Sequence, residues 1–136
     1  MKINIKIVSN ILRVVVSAIL IFSIFYITYR LWQGWFPSSI LFYIIISILI
    51  SSFSIKSERL IHSVLMGIFI GYLSGLFFFS YFYINTYNLS LQNTSEYIDW
   101  GLVYVFSYMF TIIWIFSCVF GGIISYFIRK FLKAKL

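Results

Sequence analysis

Charged side chains are scarce in this 136-residue chain, where Asp, Glu, Lys and Arg make up only 10% of the residues. A water-soluble domain usually has about 25% of such residues, with which it covers its surface. The shortage therefore excludes a water-soluble globule of this length. Intrinsic disorder is excluded as well, because disordered segments are poor in aromatic residues, whereas 23% of this chain is Phe, Trp or Tyr.

The residue types that carry most enzymatic and metal chemistry are nearly missing. The chain has three acidic residues, one His and one Cys, Cys118. A single Cys excludes a disulfide within the chain, and so few reactive groups do not make a catalytic or metal cluster. No carboxylate falls within an apolar run, which argues against a proton-coupled exporter. We therefore expect no enzymatic activity, no metal and no cofactor.

Long apolar runs are what the chain does have, and 62% of its residues are hydrophobic. About 20 residues of helix cross the roughly 30 Å hydrocarbon layer of a bilayer. Membrane strands are about half that length and alternate polar with apolar residues, which these runs do not. The sequence predicts an all-α fold in one domain, an integral membrane bundle of four transmembrane helices with one polar outer loop at 85–99. The predicted spans are about 11–31, 38–55, 60–84 and 100–128.

The first apolar run could also be read as a secretory signal peptide. Such a peptide has an apolar core of about 7–15 residues followed by a small-residue cleavage site. This run is longer and leads into Tyr29, Arg30 and Leu31, so we expect a retained helix. The preceding polar residues, at positions 2, 6, 9, 10 and 13, share one helical face and predict an amphipathic segment on the membrane surface.

Basic residues are distributed unevenly between the two predicted sides of the membrane. Nine of the ten lie in the N-terminal segment, the second loop and the C-terminal segment, whereas Arg30 lies on the opposite side with Glu96 and Asp99. Because Lys and Arg concentrate in cytoplasmic loops, we expect both termini to be cytoplasmic and the protein to reside in the cell membrane. The basic groups also attract anionic lipid, and their division among three places does not suggest nucleic-acid binding.

Small residues recur at four-residue spacing in the third and fourth spans. Such stripes let helix backbones approach closely in lipid, where apolar burial alone does not hold helices together. We expect the third helix to pack against the fourth in the manner of a glycine zipper, and association between copies of the chain is the alternative. The predicted packing residues are Ser63, Gly67, Gly71 and Gly75, followed by Ser117, Gly121 and Ser125.

Four polar residues are weaker site candidates. Glu58 and His62 are four residues apart and could share a helical face, where they could gate protons or hold a metal. A solvated pair at a helix start is the simpler interpretation. Glu96 and Asp99 could hold a cation or simply keep the outer loop hydrated. Asn88 and Asn93 fit the N-x-[ST] pattern for glycosylation, which is a weak hypothesis in a chain rich in serine.

Taken together, these features predict a small multi-pass membrane protein without enzymatic activity. We expect it to be an accessory or structural subunit whose partners are the lipid bilayer and other membrane proteins or further copies of itself. The alternative is a homo-oligomeric channel or carrier for a small solute. An intramembrane enzyme is the third class, and it lacks a supporting cluster of reactive residues.

Overall fold

The computed structural model describes residues 4–31, 36–92 and 100–135, and all four of its elements are helices. They are α1 (Ile5–Leu31), α2 (Phe36–Ser54), α3 (Leu60–Gln92) and α4 (Trp100–Lys135). Within the described ranges there is no strand. The prediction of an all-helical chain with four helices is therefore confirmed. Three of the helices, α1, α3 and α4, are long and apolar enough to cross a membrane.

Local chemistry accounts for the break between α2 and α3. After α2 ends at Ser54, the chain passes through a short polar segment that includes Lys56 and Glu58. The Ser57 hydroxyl accepts a 3.2 Å hydrogen bond from the backbone N–H of Arg59, a side-chain turn that competes with helix. The helix resumes at Leu60, and the Ser63 N–H donates to the Arg59 carbonyl at 3.1 Å.

Three helices are longer than the predicted spans. Helix α1 begins at Ile5, so the N-terminal amphipathic residues continue directly into the apolar part. Helix α3 runs on to Gln92, so the first part of the predicted 85–99 loop is helical and the rest, 93–99, lies outside the described residues. No Gly or Pro interrupts 85–92, and Thr86 Oγ1 donates to the Phe82 carbonyl at 2.8 Å.

The C-terminal basic residues also belong to a helix rather than to a tail. Helix α4 continues past the predicted end at 128 to Lys135. Basic side chains in the last turn of a helix interact favourably with its macrodipole, and Lys133 and Lys135 occupy that turn. The Lys135 ammonium also lies 4.6 Å from the centre of the Phe131 ring.

The four helices form an up-down-up-down bundle in which α4 lies between α2 and α3, and α1 lies between the same two helices on the other side. The order around the bundle is therefore α1, α2, α4, α3. The interface between α3 and α4 is the most extensive. Parallel alignment of α2 with α4 follows from the successive contacts of Ser51 with Gly121 and of Ile55 with Ser125.

The bundle buries several serines and leaves many large apolar side chains exposed. Every buried polar side chain among the described residues is a serine, whereas most large apolar side chains face outward. Burial of many large apolar groups drives folding in water, but lipid removes that driving force and leaves small residues and hydrogen bonds to hold helices together. The buried serines and close-packed glycines of this bundle are of the kind that hold helices together in lipid.

Candidate functional site

The glycines of α3 lie directly against the backbone of α4. A Cβ atom added to Gly67 would come within 2.7 Å of the Cys118 carbonyl oxygen, and one added to Gly71 within 2.5 Å of the Ile115 Cα. A Cβ on Gly75 would collide with the Thr111 side chain. Since atoms of α4 occupy the space that any side chain would need, only glycine permits this approach.

The two adjacent glycines of α4 face different neighbours. A Cβ on Gly122 would lie 2.6 Å from the Ser63 carbonyl oxygen at the start of α3. A Cβ on Gly121 would instead collide with the Ser51 hydroxyl of α2 and lie 2.6 Å from the Ile48 carbonyl oxygen. The expected α3–α4 stripe is thus divided, because successive residues on a helix point about 100° apart. Helix α4 is packed closely on two sides.

The three predicted packing serines use their hydroxyls differently. Ser125 Oγ donates a 2.7 Å hydrogen bond to the carbonyl of Ile55, the residue after α2. Ser63 and Ser117 instead donate within their own helical segments, to the carbonyls of Arg59 at 3.3 Å and Ile113 at 2.7 Å. All three side chains are buried. Of these three, only Ser125 makes a hydrogen bond that ties one helix to another.

An aromatic cluster that sequence analysis did not assign closes the centre of the bundle. The Phe25 ring lies 5.0 Å from Tyr43, 4.9 Å from Phe78 and 5.7 Å from Trp114, measured between centroids. Each helix contributes one of these rings, which we call the aromatic layer. Edge and tilted contacts at such distances are favourable arrangements of aromatic rings. Phe25, Phe78 and Trp114 are buried, so the layer brings all four helices into contact at this level.

The aromatic layer is tied to the backbone through a short polar chain. The hydroxyls of Tyr43 and Thr28 are 2.6 Å apart, and Thr28 Oγ1 donates to the Ile24 carbonyl at 2.6 Å. A tyrosine hydroxyl in apolar surroundings normally has such a hydrogen-bond partner. The abundance of Phe and Tyr in the sequence indicated aromatic packing, but it did not indicate which ring of each helix meets the others.

Of the acidic and histidine candidates, Glu58 and His62 lie in the described part of the chain, and they do not pair with each other. Glu58 pairs with Lys133, at 2.6 Å between carboxylate oxygen and ammonium nitrogen, rather than with His62. The hydrogen bond and charge of Lys133 lower the pKa of Glu58, and Lys6 and Arg129 add to the effect. Glu96, Asp99 and Asn93 lie outside the described residues. Asn88 is exposed near the end of α3.

No metal-ligating group of three or more His, Cys, Asp or Glu occurs among residues 4–31, 36–92 and 100–135. Cys118 is completely buried, with its backbone carbonyl beside Gly67 of α3 and its thiol near Ser51 of α2. The contacts of Cys118 are packing contacts. Among the described residues, no arrangement brings a nucleophile, a base and an acid together.

Comparisons with protein-family models, with curated proteins and with solved structures found no match.

Proposed function

We propose that this chain is a multi-pass protein of the cell membrane, with both termini in the cytoplasm, and that it serves as a non-enzymatic accessory subunit packing against other membrane proteins. The uncharged interior, with the aromatic layer across it, is the observation that carries this proposal. In the described bundle, the buried side chains are apolar or serine, and the aromatic layer fills the centre. A protein with such an interior acts through its outer surface.

Four crossings are favoured by the position of α2, the shortest helix. Its 19 residues extend about 28 Å at 1.5 Å per residue, close to the thickness of the hydrocarbon layer. Tyr43 near its start joins the aromatic layer, and Ile55 just past its end accepts the bond from Ser125. Helix α2 thus accompanies its neighbours along much of the bundle.

The cytoplasmic orientation is supported by the clustering of basic groups at one end. Lys6, Lys56, Arg59 and Arg129 line a single pocket there, although they come from three helical or loop segments far apart in sequence. A concentration of Lys and Arg at one membrane surface usually indicates the cytoplasmic side. Arg30, at the other end of α1, instead lies with its guanidinium carbon 5.5 Å from the centre of the Tyr26 ring.

The outer face of α4 offers a surface for a partner. Four exposed phenylalanines occupy one side of the helix within an arc of about 60° at 100° per residue. They are Phe116, Phe120, Phe127 and Phe131, and we call them the phenylalanine face. Aromatic residues are enriched where proteins meet one another. No other helix of the described bundle covers these side chains.

Topology can be tested by labelling introduced cysteines, because the native Cys118 is buried and can be replaced by Ser. In intact cells, an impermeant maleimide should label Asn88→Cys but neither Ser57→Cys nor Lys135→Cys. All three should react after the cells are opened. Labelling of Ser57→Cys in intact cells would contradict the proposed topology, because either α2 does not cross or the orientation is reversed.

The subunit role can be tested by native purification in mild detergent. We expect defined membrane proteins to copurify with the wild-type chain and to be lost with Phe116→Ala/Phe120→Ala. Leu41→Ala/Ile45→Ala, which trims exposed residues of α2 at the same spacing, is the matched control. Recovery of a homo-oligomer that releases solute from liposomes would support the channel or carrier instead, with its path between copies rather than through one bundle.

A further inference from the structure

The basic end of the bundle contains a pocket of about 700 Å³ between the start of α1, the α2–α3 connection and the start of α3. This size falls within the range of small-molecule binding sites. We name it the basic pocket, and we propose that it binds the headgroup and upper acyl chain of an anionic phospholipid. The inference rests on the membrane insertion proposed above, but not on the subunit role.

The charge of the basic pocket is strongly unbalanced. Four basic residues line it, together with His62 and a single carboxylate, that of Glu58. Glu58 is already paired with Lys133, and theirs is the one ion pair among residues 4–31, 36–92 and 100–135. None of the four basic side chains of the pocket forms an ion pair with a described carboxylate, although the charges of Lys6 and Arg129 act on Glu58. The four are Lys6, Lys56, Arg59 and Arg129.

The wall of the basic pocket changes from polar to apolar along one face of α3. Arg59 and His62 form its polar part, which we call the mouth, and Leu65, Met66 and Phe69 continue the lining along the helix. Residues at spacings of three, four and seven share a helical face, and the distance from His62 to Phe69 is about 10 Å at 1.5 Å per residue. Phe69 is 58% exposed, so a ligand can cover it.

This arrangement fits a lipid better than a free anion. A phosphate needs only the cationic mouth, whereas an anionic phospholipid also has an acyl chain that would lie over Leu65 and Phe69. Basic pockets between transmembrane helices on the cytoplasmic side are suited to anionic lipid headgroups. The N-terminus of α3 adds its partial positive charge near the same place, and Asn10 of α1 supplies a neutral polar side chain.

The test uses the purified full-length chain in detergent and native mass spectrometry with phosphatidylglycerol or phosphatidylcholine. We expect the wild type to retain phosphatidylglycerol preferentially. Lys56→Gln/Arg59→Gln should weaken that retention about thirtyfold, at roughly 1 kcal/mol for each basic residue near an anionic group. The matched control, Lys130→Gln/Lys135→Gln, removes equal charge outside the pocket and should retain the preference. Equal retention of both lipids, or equal loss in the control, would overturn the proposal.

Two further measurements separate the possible sources of phosphate and guard against a variant that does not fold. Phosphatidylglycerol with a photoreactive acyl chain should crosslink the wild type at the Leu65–Phe69 segment more than at Phe116 or Phe120. Inorganic phosphate at millimolar concentration should not displace the bound phosphatidylglycerol. Displacement by phosphate, with no crosslinks near Phe69, would show a free-anion site instead. Even crosslinking over all helices would reject the pocket while leaving membrane insertion intact, and failure of insertion would abolish crosslinking everywhere.

Discussion

Ser125 of α4 donates a 2.7 Å hydrogen bond to the carbonyl of Ile55, 70 residues earlier in the chain. The carbonyl lies just beyond the last residue of α2, where a helix end leaves carbonyls without an intrahelical partner. The bond therefore satisfies a buried backbone acceptor and also fixes the end of α2 to the C-terminal half of α4.

Replacing this serine tests the contribution of the bond. Ser125→Ala should lower the free energy of unfolding by about 0.5–1.5 kcal/mol, the usual net value of one hydrogen bond. Unfolding in mixed micelles with increasing denaturing detergent would measure it. Ser52→Ala is the matched control, because the Ser52 hydroxyl donates only to the Leu49 carbonyl of its own helix. An equal effect of both substitutions would assign no special role to the bond between helices.

Ser47 of α2 presents the opposite case. Its side chain is completely buried, and its hydroxyl oxygen has no hydrogen-bond partner. A buried polar group without a partner carries an uncompensated desolvation cost. Ser47→Ala should therefore leave the free energy of unfolding unchanged or raise it by up to about 1 kcal/mol. A loss comparable with that of Ser125→Ala would show that the Ser47 hydroxyl has a bonding partner in the membrane.

Gly71 tests the close approach of α3 to α4. Gly71→Leu should destabilise the bundle by about 3 kcal/mol or more, at the upper end of overpacking costs, because a Cβ alone would lie 2.5 Å from the Ile115 Cα. The recovered fraction of monodisperse protein on size-exclusion chromatography would report the loss. Ser80→Leu adds the same side chain on the exposed side of α3 and should behave as wild type. Normal recovery and oligomeric state of Gly71→Leu would refute the contact.

The Glu58–Lys133 pair predicts a pH-dependent contact at the basic end. Lys133 holds the pKa of Glu58 below its usual range, so the ionised carboxylate is favoured in the folded protein. The contact is complete above the ordinary carboxyl pKa and is lost as the pH falls through the lowered value. Because both side chains are largely exposed, the effect is local rather than a determinant of global stability.

This shift can be measured by carbon NMR of the labelled Glu58 carboxyl in Glu96→Gln, which leaves a single glutamate. Lys133→Met should raise the pKa of Glu58 toward its ordinary value, whereas Lys130→Met should change it little. If both substitutions had the same effect, the general positive charge of this end, rather than the contact with Lys133, would be responsible.

The sequence predicted four helices because the length of an apolar run and the scarcity of helix breakers are local properties. The order of the helices around the bundle is not local, and several contacts depend on it. Gly121 and Gly122 are neighbours in sequence but face α2 and α3 respectively, which the four-residue spacing could not reveal. Likewise, Glu58 had a nearby histidine at helical spacing, but its partner is 75 residues away.

The helix ends were also beyond the sequence argument. Apolar runs mark the part of a helix that fits lipid, not the points where its hydrogen bonds stop. Polar residues with good helix propensity extend α4 to Lys135, and residues such as Thr86 remain in α3 through a bond to the preceding turn. A predicted span therefore marks the apolar part of a helix rather than its ends. Helix α2 begins two residues before its predicted span of 38–55 and ends one residue short of it, at Ser54.

The aromatic layer supplies the last prediction, because it is the part of the fold that most depends on all four helices meeting. Phe78 is buried, and its ring lies 4.9 Å from Phe25 and 5.1 Å from Trp114. Phe78→Ala should cost about 3–5 kcal/mol, as for other large-to-small core substitutions. Phe116→Ala removes the same ring from a side chain that is 71% exposed. It should change the free energy of unfolding by far less in the same detergent titration. Similar losses would mean that the rings are stabilised by lipid or detergent alone, and the layer could not then be what closes the bundle.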